Sequence, residues 1–120
     1  MLNVDTHVLL YALSDALKPA EARLMNANRW SISAIVLWEI AKLAQKGRIT
    51  LDLDDPAVVR TLSRVHVWPL TRDVALASTR LDIKGDPADE IIAATSLVHG
   101  IPLLTRDRAL RKSKIVPLAG

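Results

Sequence analysis

The segment DPADEIIAATSLVHGIPLLTRDRAL, residues 86–110, decides the fold class because its structural period changes twice. Asp86-Pro87 is a helix start: the acid can accept from free first-turn N–H groups, and proline's fixed φ and missing donor suit the first helical position. A run that is apolar almost all round follows through Val98, as in a central helix, and Gly100 ends it. IPLLT reads as a short strand and RDRALRK, residues 106–112, as a short basic helix. Helix, strand and helix in such close succession is the rhythm of a parallel layered fold.

The rest of the chain keeps that rhythm. LNV is a strand stopped by Asp5-Thr6, and HVLLYALSD runs at helical spacing. Pro19 opens the helix of AEARLMNAN. WSIS is a strand, and AIVLWEIAKLAQ, residues 34–45, is a long helix closed by Lys46-Gly47. DLDDPAVVRTLSRV opens on an acid-proline start, VHVWPL is a strand, TRDVALASTRLDI is a helix capped by Thr71 or Asp73, and KIVPL is a last strand. The expectation is an α/β fold of three layers, with helices on both faces of a mainly parallel sheet of four to five strands.

A length of 120 residues suits one domain spanning 1–120. Half the residues are apolar and none is Phe, so the core is aliphatic. The absence of Cys excludes disulfides and thiolate zinc sites. MLNVDTHVLLYAL lacks a basic leader and carries Asp5 and His7 inside its apolar run, so neither a signal peptide nor a membrane span is expected, and a reducing cytoplasm fits. Net charge is only +3. The bases Arg106, Arg108, Arg111, Lys112 and Lys114 nevertheless crowd around Asp107, either as a solvated face or as a rim toward a polyanion.

In a parallel sheet, ligands bind beyond the carboxyl ends of the strands. Asp5 follows the first strand and Asp107 the fourth, so both belong at that edge. Glu39 lies in a helix of apolar neighbours and needs a partner, with Lys42 or Lys46 as the ordinary choice. Asp86 and Asp89 occupy the N-cap and third position of their helix, where acids are expected anyway. Asp89, however, shares a face with Ile92, Ala93 and Ser96 and should open into the crevice, whereas Glu90 reads as an exposed first-turn acid. Two carboxylates ~5 Å apart repel by roughly 3 kcal/mol at an effective dielectric near 20. Protons, Arg or Lys, or a divalent cation can relieve that repulsion. Oxygen ligands without Cys or a His pair favour Mg²⁺ or Mn²⁺, and such ions suit phosphodiester hydrolysis.

The blocks LNVDTHVLLYAL, SISAIVLWEIAKLAQKGRI, DPADEIIAATSLVHGIPLLTRDRAL and KIVPL together resemble PIN-domain proteins, most closely the VapC-type toxins of toxin–antitoxin pairs. That resemblance implies an acidic metal site at Asp5, Glu39, Asp89 and Asp107, with Asp86 as an additional acid. It sets Thr6, Ser33 and Thr105 beside the acids as supporting polar groups. Arg106, Arg108, Arg111 and Lys112 stand as candidate RNA contacts. The implied protein is a Mg²⁺- or Mn²⁺-dependent endoribonuclease, often a homodimer, inhibited by a cognate antitoxin. One departure is Glu90, where the related sequences carry a base.

His7, His66 and His99 lack metal-ligand spacing, and Trp38 and Trp68 read as core or interface residues. No phosphate-cradling glycine motif is present. Two other classes compete with a nuclease. A catalytically silent binding module could keep the fold for its partner alone, and a phosphoacceptor switch domain would need further acids and a lysine at strand ends.

Overall fold

The computed structural model describes all residues, Met1–Gly120. Four strands form one parallel sheet: β1 (Leu2–Val4), β2 (Trp30–Ser33), β3 (His66–Trp68) and β4 (Leu103–Leu104), in the order β3-β2-β1-β4. Seven helices connect them: α1 (Thr6–Leu13), α2 (Pro19–Ala27), α3 (Ala34–Gln45), α4 (Pro56–Leu62), α5 (Arg72–Ser78), α6 (Pro87–His99) and α7 (Arg108–Arg111). The chain steps outward from β1 to β3, then returns across two strands to β4. With right-handed crossovers, that reversal sends the β3–β4 connection over the opposite face from the first two, which gives the three layers.

Local chemistry sets most boundaries. Pro19, Pro56 and Pro87 each stand in the first turn of a helix. Thr71, not Asp73, caps α5 by accepting from the Val74 N–H. Gly100 ends α6 at φ +65°, a left-handed conformation that costs glycine nothing. The core is aliphatic as expected, with Leu9, Ile32, Ile40, Ile92 and Leu103 fully buried.

Buried Asn3, in the centre of β1, pins the layers together. Its Nδ2 donates to Ser96 Oγ of α6 at 2.9 Å, and its Oδ1 accepts from Ser31 Oγ of β2 at 3.3 Å. A polar network of this kind is stable at zero exposure only because its members satisfy one another.

Three expectations need correction. The last strand, KIVPL, contracts to a single parallel bridge between Leu103 and Leu118. Asp82 causes this: it accepts from Ser113 Oγ and from the Lys114 N–H, while Ser113 Oγ accepts from the Ile115 and Val116 N–H groups, bending the segment out of the ladder. The last helix begins at Arg108, not Arg106, because Asp107 is its cap. Trp38 is 55% exposed and therefore lies outside the core, whereas half-buried Trp68 stacks on His99 with centroids 3.9 Å apart.

Candidate active site

β1 and β4 are neighbours, and the connections leaving them part in different directions, so a crevice opens beyond their carboxyl ends. Asp5 and Asp107 stand there. Both are N-caps: Asp5 Oδ1 accepts from the Val8 N–H at 2.9 Å, and Asp107 Oδ1 from the Leu110 N–H at 3.0 Å. Thr105 joins them, donating its hydroxyl to Asp5 Oδ2 while accepting from the Asp107 N–H. Each Asp5 oxygen thus spends one acceptor site on the protein and keeps another for a ligand.

Beside this pair, the Thr6 hydroxyl donates to Glu39 Oε1. Neither lysine offered as Glu39's partner pairs with it; Lys42 Nζ instead donates to Gln45. Asp89 comes from the first turn of α6, its N–H donating to Asp86 Oδ1 at 2.9 Å. Asp5, His7, Tyr11, Glu39, Asp86, Asp89, Arg106 and Asp107 line one open cleft of about 350 Å³.

The electrostatics show the strain of that gathering. No carboxylate of the cleft has an ion-pair partner; the molecule's only salt bridge joins Arg106 to Glu21. Burial, followed by the charges of Asp86, Asp107, Glu39 and Asp5, pushes the Asp89 carboxyl up to about 7. Burial also raises Asp5, against the opposing pull of the Thr105 hydroxyl and the Val8 N–H. As they stand, no three of these groups lie close enough together to hold a metal ion between them. A hard cation that retains much of its water shell needs only one or two direct carboxylates. An all-oxygen, uncompensated donor set therefore fits Mg²⁺ or Mn²⁺.

The supporting groups divide. Thr6 and Thr105 touch acids, whereas Ser33 caps α3 by accepting from the Ile35 N–H and reaches none. The basic candidates divide as well. Arg108 and Lys112 are exposed. Arg111 is committed to the carbonyls of Thr105, Ala119 and Gly120, and Arg106 to Glu21. Glu90 faces away from the acids, into a separate surface pocket with Lys84.

Sequence reasoning passed over Asn3, Glu21 and Gly85. Asn3 holds α6, and hence Asp89, onto the sheet; its one signal was an amide inside an apolar strand. Gly85 lies against the site, since a Cβ there would stand 3.3 Å from that of Asp89.

Comparison with known proteins agrees with this fold. The PIN domain family profile matches residues 3–115. The chain is 31% identical over 117 residues to ribonuclease VapC22 of Mycobacterium tuberculosis, covering 92% of this chain and 90% of that one. A toxin–antitoxin complex from Klebsiella pneumoniae has a chain of like fold, with a TM-score of 0.73 at 23% identity over 93% of this chain and 92% of that one. VapBC2 from Rickettsia felis, bound to a DNA fragment from its promoter, gives a TM-score of 0.74 at 17% identity over 99% and 98% of the two chains. With its acids gathered where an all-parallel sheet reverses, and the family profile running over almost its whole length, this chain belongs to the PIN domain family.

Proposed function

We propose that this chain is an endoribonuclease that hydrolyses RNA phosphodiester bonds with Mg²⁺ or Mn²⁺ and is held inactive by a cognate antitoxin. The observation that carries the reading is one cleft with five carboxylates and no cation paired to any of them. The names of the relatives, a ribonuclease and toxin–antitoxin complexes, support it. The family match over residues 3–115 supports one domain. Cytoplasmic location and a pairing of two copies belong to the same reading; no helix is long and apolar enough to cross a membrane.

Asp5, Glu39, Asp89 and Asp107 would hold the metal, which when bound supplies an activated water and offsets charge developing on the phosphate. The chain's own groups prepare for this. Thr105 and the Val8 N–H fix the Asp5 carboxylate, and Thr6 fixes Glu39, so little ordering remains when the ion arrives. Asp86 is taken up by the α6 N-terminus and acts mainly by positioning Asp89. Arg108 and Lys112 stand free to meet flanking phosphates.

Purified protein should cut single-stranded RNA in Mg²⁺ or Mn²⁺ and stop when chelator is added. Asp5→Ala and Asp89→Ala should lose cleavage while keeping the far-ultraviolet circular dichroism of the parent. Cleavage that survives both substitutions rejects the site; antitoxin binding without any cleavage favours the silent binding module.

A further inference from the structure

We propose that Glu21 is a positioning residue that holds the Arg106 guanidinium off the carboxylates of the acidic cleft and so keeps them free for a cation. The inference rests on the metal-dependent reading above. Arg106 lies between Thr105 and Asp107, and its side chain borders a cleft of five carboxylates. A loose guanidinium in that position would fold onto the acids, because fork-like pairing with carboxylates is among the strongest contacts it can make. It does not do so. Its Nε donates to Glu21 Oε2 at 2.8 Å and its Nη2 to Glu21 Oε1 at 2.7 Å, while Nη2 also reaches the Ala16 carbonyl at 3.2 Å. The Tyr11 ring lies 3.9 Å from its Cζ, adding a cation–π contact.

Glu21 is held as firmly. It is buried on α2 and accepts from the Lys18 N–H at 2.7 Å. Arg106 draws its carboxyl down to about 2, so it stays charged wherever the protein is folded and active. The molecule's single salt bridge is thus made by a residue of the cleft with a carboxylate outside its lining, and not with any of the five unpaired acids that would accept the same donor.

The test is Mn²⁺ binding to the RNA-free protein, read by electron paramagnetic resonance at neutral pH. Glu21→Gln keeps an oxygen for the Lys18 N–H but releases Arg106, and should weaken Mn²⁺ affinity roughly tenfold through competition. Adding Arg106→Gln to that variant should restore parental affinity, and Arg106→Gln alone should bind at least as tightly as the parent. Glu21→Asp keeps the charge with a shorter fork and gives an intermediate case should the Gln variant fold poorly; it too should recover with Arg106→Gln. A double variant as weak as Glu21→Gln, or a Glu21→Gln protein with parental affinity, overturns the proposal. A parent protein that binds no Mn²⁺ overturns the nuclease reading, and this inference with it.

Discussion

The two edges of the sheet carry opposite charge, and helix direction explains why. At the carboxyl edge, helices begin, so free N–H groups and positive dipole ends gather there; Asp5, Asp86 and Asp107 are all N-caps, and Asp89 lies in a first turn. At the opposite edge, α2 and α4 end, and Asn28, Arg29, Trp30, Thr61 and Arg64 line a cleft without a single acid. Both patterns follow from one topology. The edges differ in excess: a cap consumes one carboxylate oxygen, yet the acidic edge adds Glu39, which caps nothing, and leaves Asp89 raised to about 7 by burial and then by its acidic neighbours. Dipoles account for acids being tolerated there, and the surplus is what the proposed cation site would explain.

The largest expected break in this contrast is Asp5→Ala, which removes a cap, the partner of Thr105 and a ligand oxygen together. RNA cleavage should fall at least ~100-fold, whereas the paired Arg29→Gln and Arg64→Gln change at the other edge should leave the rate with a short substrate unaltered. Equal losses at both edges would erase the distinction. Next comes Asn3→Ala, which deprives the Ser96 hydroxyl of its donor and leaves Ser31 only the Leu2 carbonyl, and should cost about 1–3 kcal/mol in urea unfolding. A neutral result there removes Asn3 as the tie between sheet and α6.

Asp89→Asn separates function from stability. Because the Asp89 carboxyl rises from 3.8 to about 7 on folding, the unfolded chain gives up its proton first. Asp89's own contribution to metal-free stability should therefore be greatest below pH 4, decline between pH 4 and 7, and level off above. Asp89→Asn should abolish that decline and raise metal-free stability at pH 8 by on the order of 1 kcal/mol, allowing for solvent screening of a half-exposed group, while cleavage is lost. A parallel pH profile in both proteins contradicts the crowding. The smallest effect is Gly100→Ala: a methyl there meets no neighbour, so the left-handed φ alone should cost ~1 kcal/mol with cleavage unchanged.

The parts of this fold legible in the sequence were those decided within one turn of chain. Asp86-Pro87 and Gly100 announce helix ends because capping joins residues at most three or four apart, and WSIS falls on β2 residue for residue. Asp5 and Asp107 could be placed together because topology alone sends both to one edge. What the sequence hid were partnerships across long separations. Asp82 undoes the last strand from 31 residues away, and Glu21 captures Arg106 from 85. A basic cluster read either as a solvated face or as a rim is in fact divided, since Arg106 and Arg111 are spent on structure and Arg108 and Lys112 are exposed.

The hydroxyl of Thr105 reaches back 100 residues to Asp5. During synthesis that contact cannot form until the chain has grown 100 residues past Asp5, and Arg111 then bonds to the Gly120 carbonyl. A growing chain consequently holds Asp5 without the hydroxyl that orients it, and the acidic cleft is assembled only once both ends of that span are in place.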